Sequence, residues 1–292
     1  MGLIIVTGGD EERASSILDL ADSLKRVRQD SSFSMGCLDF GLAASTRKRL
    51  TGQFDEVVQA HWPYRPEHQS RGLAAAAISF LPTSFPGHDA LAWIDADSFV
   101  QHERLIKILS HACANGGAGV IPAIDRNYRH TQKTAQHTAQ KFRTTFGPDL
   151  AHEVAMGPFI TAEVFAASAT SPLWTRCGKR IESALHSEHG GHLCFDAILH
   201  QVVYLDALRP HLLPSTCNWQ SHLALPFYDA QHGKFVEPSY PFEPILAVSN
   251  TFDDKQRRHS FAKRHGGTLE ARLSYPASQS HATTHSTNVP AS

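Results

Sequence analysis

Two carboxylates directly follow an apolar run near the middle of the first half of the chain. The run from Ala90 to Ile94 leads into Asp95, Ala96 and Asp97. Side chains two positions apart on an extended backbone point to the same side, so both carboxylates can face one point. Two negative charges held this close repel each other unless a cation lies between them. Such oxygen ligands suit Mg²⁺ or Mn²⁺, which can bridge a diphosphate and neutralise the charge that develops as it departs.

An Asp-x-Asp sequence is short, and aspartate is also common in turns and at helix starts. The position of this one gives it weight, because the carboxyl ends of parallel strands are where open α/β sheets place their ligand crevice. We therefore interpret Asp95 and Asp97 as metal ligands, with a turn or a helix cap as the alternative.

Strands and helices alternate through the first 124 residues, which predicts a parallel sheet flanked by helices. Leu3 to Val6 is a short apolar run that Thr7, Gly8 and Gly9 then interrupt. The next segment has apolar residues three and four positions apart, as in an amphipathic helix. Similar patterns predict strands at 3–6, 33–40, 54–60, 90–94 and 119–124, and helices at 11–28, 44–50, 71–80 and 102–114.

The second half of the chain is less regular. Residues 125–157 are polar and weakly periodic, and we expect an irregular excursion with room for a helix that shapes an acceptor pocket. An apolar element at 159–167 and helices at 181–184 and 193–208 follow. The proline-rich segment 209–247 predicts loops with short strands, and the Ser/Thr/His/Pro-rich tail 274–292 predicts disorder.

Composition excludes several classes of function. The charges of the 27 basic and 28 acidic residues nearly cancel. The chain therefore has no strong overall charge that would attract nucleic acid, and we expect at most peripheral contact with a membrane. The five cysteines form no CxxC pair and no even framework, which favours reduced thiols and a cytoplasmic location. No signal peptide and no run of ~18 apolar residues is recognisable. Neither GxGxxG nor a P-loop is present, which argues against a dinucleotide oxidoreductase or an ATPase.

Three further positions lie in settings that suggest a role. Thr7 and Gly8 follow the first apolar run, where glycine lets a nucleotide approach the backbone, with a plain turn as the alternative. Asp196 lies in an apolar segment, and a buried carboxylate needs a partner. We interpret Asp196 as a catalytic residue that binds a sugar or acceptor hydroxyl and acts as a base. The alternative is an N-cap for the helix that follows it.

The order of four segments resembles glycosyltransferases of the GT-A fold, and the family 8-like sugar transferases in particular. The DxD strand is the most specific of them. The segments are 4–7, similar to the strand that lines the nucleotide base; 38–42 with 47–50, similar to the D-x-G-L … L segment; 92–97, similar to the DxD strand; and 195–199 with 213–214 and 218–219, similar to the D-Q-x-x-L-N … L-P … N block.

The resemblance implies an α/β fold, GT-A and Rossmann-like, with a mixed, mostly parallel central sheet flanked by helices. It implies one domain over 1–273, with a nucleotide-sugar-binding half at 1–124 and an acceptor-binding half at 125–273. It also implies that Arg71 touches the donor and that Lys255 reaches its diphosphate, with solvated surface side chains as the alternative for both. The expected reaction is transfer of a sugar from a nucleotide-sugar, a UDP-sugar by preference, to a hydroxyl of a carbohydrate or glycolipid, with Mn²⁺ or Mg²⁺.

The chain departs from the family pattern at two positions. Ser249 stands where the family has a histidine that completes the metal shell, so Asn250 or Ser249 becomes the candidate third ligand. His259 and His265 are further candidates. Ala197 replaces the glutamine of the D-Q block. Two rival functions stay open: a nucleotidyltransferase, although Arg13 is the sole basic residue near Thr7, and a non-catalytic protein that binds nucleotide-sugars.

Overall fold

A computed structural model describes residues 2–28, 32–64, 69–148, 151, 157–186, 193–206, 208–252, 254 and 257–273. Lys255 and the predicted disordered tail lie outside this part of the chain. Over the described residues, strands and helices alternate as expected in the first half.

The central element is a seven-stranded sheet in the order β3-β2-β1-β4-β7-β6-β8. Its four parallel pairs are β1 with β2, β1 with β4, β2 with β3 and β6 with β8, whereas β7 runs antiparallel to both neighbours. The predicted mixed, mostly parallel sheet is confirmed. Its strands are β1 Leu3–Gly9, β2 Ser34–Asp39, β3 Glu56–Gln59, β4 Ala90–Ile94, β6 Ala118–Pro122, β7 Ile160–Ser168 and β8 His211–Leu212.

Helices cover both faces of this sheet. Within the described ranges, no helix combines the length and apolar character needed to cross a bilayer. The helices are α1 Ala14–Arg28, α2 Ala44–Thr51, α3 Gln69–Ser79, α4 Leu81–Ser84, α5 Arg104–Ala112, α6 Gln132–Phe146, α7 Pro172–His186 and α8 Phe195–Tyr204.

A second, small sheet lies beside the first, in the order β5-β12-β9. β5 and β12 are antiparallel, and Ser98 lies opposite Ser249. Two hairpins complete the C-terminal part. The strands are β5 Ser98–Val100, β9 Trp219–Gln220, β10 Phe227–Asp229, β11 Lys234–Val236, β12 Ala247–Ser249, β13 Arg258–Ala262 and β14 Thr268–Arg272.

Alternation along β1 divides the core between the two faces of the sheet. Leu3 and Ile5 pack in a cluster with α1 and α5, and Ile4 and Val6 pack in a second cluster with α3, α7 and α8. All four are buried. Burying one such side chain contributes about 1.5–3 kcal/mol, so the faces of β1 fix the sheet between its two helical layers.

One sequence prediction needs correction. The first strand does not end at Val6: it continues through Gly9, paired with β2 as far as Asp39. The polar segment 125–157, for which the sequence predicts an irregular excursion with room for a helix, does contain a helix, the fifteen residues of α6. A capping box of Thr131 and Thr134 begins α6, and Phe142 anchors it in the core.

The first testable prediction concerns Gly8, where β1 and β2 approach closely. A Cβ at Gly8 would lie 2.7 Å from the backbone oxygen of Leu38, which cannot swing aside. We expect Gly8→Ala to lower the free energy of unfolding by about 1–3 kcal/mol in urea denaturation.

The matched control is Gly178→Ala in α7, where an added Cβ meets nothing within 4 Å. Alanine favours helix, so this variant should gain about 0.5–1 kcal/mol. Equal effects of the two substitutions would contradict the close approach at Gly8.

Candidate functional site

The candidate site lies at the carboxyl ends of β1 and β4, where the strand order reverses. The chain passes from β1 outward to β2 and β3, and then returns to pair β4 on the other side of β1. Ligands of open α/β sheets bind at such a switch point. Asp95 follows the last residue of β4 directly, so the sheet itself places the Asp-x-Asp pair there.

The two carboxylates converge on one cation, the guanidinium of Arg13. Its Nη1 lies 3.2 Å from Oδ1 of Asp95 and 3.1 Å from Oδ2 of Asp97. Ser16, one turn further along the chain, donates from its hydroxyl to the other oxygen of Asp97 at 3.3 Å. The backbone nitrogen of Asp97 also donates to Asp95 Oδ1 at 3.0 Å. Asp95 and Asp97 therefore face the same point, as the sequence predicts.

Enclosure shapes the electrostatics of this pair. Burial raises the pKa of Asp95, and the neighbouring Arg13 opposes that rise because it favours the ionised form. The pKa of the Arg13 guanidinium is raised although burial opposes it, because Asp95 and Asp97 stabilise its charge. The side chains stay accessible, with 30% of Asp95, 20% of Asp97 and 47% of Arg13 exposed, so solvent and ligands can reach them.

The donor set fits a divalent cation held partly by a ligand. One nitrogen contacts an oxygen of each carboxylate, so the two oxygens already surround a single cation position. No group of three His, Cys, Asp or Glu side chains suited to a metal occurs among the described residues. Mg²⁺ is commonly bound through one or two carboxylates together with phosphates and water, which is the coordination that Asp95 and Asp97 leave open.

The position of the expected third ligand lies beside the carboxylate pair. The backbone nitrogen of Asn250 donates to the carbonyl of Asp97 at 2.9 Å, so β12 ends next to the site. The Asn250 side-chain nitrogen donates to the Leu273 carbonyl at 3.1 Å. Ser249 is engaged elsewhere: its hydroxyl bonds to Ser98 and to Asn218. Of these two neighbours, Asn250 remains the candidate ligand.

The other predicted donor-binding residues are placed less directly. Thr7 and Gly8 are fully buried inside β1, so they lie beneath the site, and the first exposed residue after the strand is Asp10. Within the described part of the chain, the buried Thr7 hydroxyl has no hydrogen-bond partner. Arg71 belongs to α3, but its side chain lies outside the described structure, as does the whole of Lys255.

A third carboxylate, that of Asp39, shapes the loop at the end of β2. Its Oδ1 accepts hydrogen bonds from the backbone nitrogens of Gly41 at 2.8 Å and Leu42 at 2.7 Å. Gly41 has a φ of +121°, which glycine adopts without strain. Arg47 contacts the other oxygen of Asp39 at 3.3 Å. The segment 38–42 is therefore the end of β2 followed by a turn that the Asp39 carboxylate stabilises, which gives its sequence pattern a structural cause.

Asp196 lies in a second polar cluster and is bound on both oxygens. Oδ1 accepts from the backbone nitrogen of Ala162 at 2.7 Å, and Oδ2 accepts from Lys141 at 2.9 Å and from the Cys194 thiol at 3.3 Å. Burial opposes ionisation, but the Lys141 ammonium holds the pKa of Asp196 below its usual value. The N-cap of α8 is Cys194, so the N-cap alternative for Asp196 is wrong.

Glu163 joins this cluster to the Asp-x-Asp pair. Its backbone oxygen accepts from the nitrogen of Asp95 at 2.7 Å. Its Oε2 lies 3.3 Å from the Asn218 amide nitrogen and 3.5 Å from that of Gln220. Burial and the charge of Asp196 raise the pKa of Glu163 to about 7, although Lys141 acts in the opposite direction. Glu163 therefore exchanges its proton near neutral pH.

Sequence reasoning missed the roles of Arg13, Lys141 and Glu163. Glu163 did carry a signal, because it is the single charged residue in the apolar run 159–167. Arg13 and Lys141 lie on amphipathic or polar segments, where basic residues are ordinary. Their partners lie 82 and 55 positions away, so local spacing gives no sign of the contacts.

The second prediction concerns the proton on Glu163. A carboxyl with a native pKa of about 7 and a usual value of 4.5 binds more protons in the folded than in the unfolded chain between these values. This contribution to stability is complete below about pH 4.5 and is lost as the pH rises through 7. Glu163→Gln removes it and keeps an oxygen acceptor for Asn218.

Thermal unfolding of both proteins from pH 4.5 to 8 measures the effect. We expect the Tm of the unchanged protein to fall further with rising pH than that of Glu163→Gln. All other titrating groups are common to the two proteins, so the difference between the curves isolates Glu163. Parallel curves would show that its pKa is not raised.

Comparison with known proteins bears on the fold. No protein-family model and no curated protein sequence matches the chain. Solved structures do match. The galactosyltransferase LgtC, in complex with donor and acceptor sugar analogues, is 14% identical with a TM-score of 0.52, covering 86% of this chain and 87% of LgtC.

Two larger proteins share the same fold over part of their length. The glycosyltransferase GlyE of Streptococcus pneumoniae is 13% identical with a TM-score of 0.52, covering 89% of this chain and 57% of GlyE. The bifunctional glycosyltransferase WbbM is 15% identical with a TM-score of 0.52, covering 74% of this chain and 39% of WbbM. The chain therefore has the GT-A fold of these glycosyltransferases, as its sequence predicts.

Proposed function

We propose that the chain is a metal-dependent glycosyltransferase that transfers a sugar from a nucleotide-sugar, a UDP-sugar by preference, to a hydroxyl of a carbohydrate or glycolipid acceptor. One observation carries the proposal: oxygens of Asp95 and Asp97 converge on a single cation at the switch point of the sheet. The fold is shared with LgtC, whose structure holds donor and acceptor sugar analogues, and this likeness supports the same division of labour here.

The first half of the domain, 1–124, would bind the donor. Asp95 and Asp97, with Asn250 beside them, would hold Mn²⁺ or Mg²⁺. When bound, such an ion neutralises the charge that grows on a departing nucleoside diphosphate. Thr7 and Gly8 would support the nucleotide from beneath through the end of β1. Arg71 and Lys255 would add positive charge toward the diphosphate.

The second half, 125–273, would bind the acceptor and the transferred sugar. Lys141, Glu163, Asp196, Asn218 and Gln220 form a polar cluster that is joined to Asp95 through the backbone of Glu163. Charged and amide groups of this kind suit sugar hydroxyls, which both donate and accept hydrogen bonds.

Asp196 would act in this cluster as a fixed anion that orients a sugar or acceptor hydroxyl. Its lowered pKa and its bonds to Lys141, Cys194 and the backbone of Ala162 make it a weak base. Catalysis by Asp196 would therefore depend on position and charge more than on proton transfer. Of the two roles that the sequence suggests for Asp196, the proposal keeps the binding of a hydroxyl and gives less weight to proton transfer.

The third prediction tests the carboxylate pair. Asp97→Asn keeps the size of the side chain but removes the charge that a divalent cation needs. We expect Mn²⁺-stimulated hydrolysis of the donor to fall by at least about 100-fold, the order of magnitude lost when one stabilising group is removed from an active site. We also expect Mn²⁺ to stop adding to the thermal stabilisation given by UDP.

Thermal-shift measurements with UDP, GDP and CMP compounds, each with and without Mn²⁺, measure binding, and donor hydrolysis measures turnover. At 100 times its Kd, a ligand adds about 2.7 kcal/mol of stability, a clear shift in Tm. Asp22→Asn, an exposed change further along α1, is the matched control and should leave both readouts unchanged. Stabilisation by a nucleotide-sugar without any hydrolysis or transfer would favour the non-catalytic alternative.

A further inference from the structure

The guanidinium of Arg13 occupies the position at which the proposed metal would bind. Its Nη1 contacts Oδ1 of Asp95 and Oδ2 of Asp97, the two oxygens that converge there. A guanidinium and a divalent cation at this point compete for the same two oxygens, and their like charges repel each other. A metal that takes over these two oxygens would therefore displace Arg13.

The position of Arg13 is built into the fold. A 3₁₀ turn, Glu11–Arg13, connects the end of β1 to α1 and directs the side chain back over the site. Gly9 makes room for it, because a Cβ at Gly9 would lie 2.8 Å from Arg13 Cβ and 3.2 Å from Arg13 Cδ. Ser16 holds Asp97 from the same segment. The backbone and the neighbouring residues therefore position the Arg13 side chain against Asp95 and Asp97.

Displacement would leave Arg13 close to the donor. About half of its side chain is exposed, so the guanidinium can turn toward the open side of the site without disturbing the core. Its planar fork matches phosphate oxygens in pairs, as an ammonium does not. The oxygens of a nucleoside diphosphate bound next to Asp95 and Asp97 would be suitable acceptors for the displaced side chain.

We propose that Arg13 is an exchanging cation: it neutralises Asp95 and Asp97 in the donor-free protein, and it moves onto the diphosphate when the metal and the donor bind. This rests on the function proposed above. Arg13 therefore opposes metal binding in the absence of donor and favours it in its presence. The metal and the nucleotide should then bind with positive coupling, of which Arg13 contributes a part.

The test is isothermal titration calorimetry, in which Mn²⁺ is titrated into the full chain, first without nucleotide and then with UDP. Arg13→Met keeps the length of the stem and removes the charge. We expect this variant to bind Mn²⁺ about 10-fold more tightly than the unchanged protein without nucleotide, and to bind UDP about 10-fold more weakly in saturating Mn²⁺. These are typical sizes for a coupling between sites.

Arg28→Met is the matched control. Arg28 lies at the other end of α1 and pairs with Asp55, far along the helix from the carboxylates. Its replacement should change neither affinity. Arg13→Lys keeps a positive charge, so the carboxylate pair stays neutralised and the fold is preserved even where the methionine variant unfolds. Because this charge still competes with the metal, Arg13→Lys should bind Mn²⁺ as the unchanged protein does in the absence of nucleotide. A point charge without the fork should bind UDP in Mn²⁺ more weakly.

Two results would overturn the proposal. The first is an Mn²⁺ affinity of Arg13→Met that is equal to, or weaker than, that of the unchanged protein, including the case in which neither of them binds Mn²⁺. The second is UDP binding in Mn²⁺ that does not depend on Arg13. Neither result removes the proposed function while Mn²⁺ still adds to the stabilisation of the unchanged protein by UDP. A failure of all nucleotides to bind the unchanged protein and the Arg28→Met control would remove the function itself.

Discussion

The repulsion between Asp95 and Asp97 is the constraint on which the site depends. Two carboxylates at the end of one buried strand cannot both stay ionised in a partly enclosed place unless positive charge lies between them. The chain meets this need from the 3₁₀ turn after β1 and from the start of α1, which bring Arg13 and Ser16 to the pair. The geometry that creates the repulsion is also the geometry that lets one cation bind both groups.

The sheet topology explains why so many polar groups meet at this edge. β1 and β4 are parallel neighbours with their connections leading in opposite directions, which opens the crevice. β7 runs antiparallel to β4, so Glu163 lies beside Asp95 although β7 enters from the opposite direction. The small sheet brings Asn250 to the same place through the pairing of β12 with β5. Asp95, Glu163 and Asn250 lie in three separate segments of the sequence, and only the assembled sheets bring them together.

The sequence predicts the parts of this protein that local patterns encode. Apolar strands such as 90–94 have a length and composition that fix their type, and the spacing of Asp95 and Asp97 fixes their shared direction. The bounds of the polar helix α6 do not follow from its weak periodicity, because a capping box begins it and packing of Phe142 against Phe159 and α8 holds it. The predicted strand β1 is too short, because its glycines suggest a turn. In the structure, Gly8 is part of the strand, where close packing against Leu38 leaves no room for a side chain.

The roles of Arg13, Lys141 and Glu163 could not be predicted from the sequence for a different reason. Each depends on a charge partner that is distant in sequence, and a basic residue on a helix has the same local pattern whether or not it meets an acid. Contacts between elements decide these roles. The resemblance to known transferases gave the order of the motifs, but it gave no reason to expect a guanidinium between the two carboxylates.

The balance of charge in the site bears on what it can bind. Among the described residues, four carboxylates, those of Asp95, Asp97, Glu163 and Asp196, face two cations, Arg13 and Lys141. With all four ionised, these groups carry a net charge of about two negative units, which disfavours an anionic diphosphate. A divalent cation would cancel that excess, and a proton on Glu163 would reduce it. An acidic site of this kind can therefore bind a nucleotide-sugar when a divalent cation binds with it. Arg13, released from Asp95 and Asp97, would then contact the ligand.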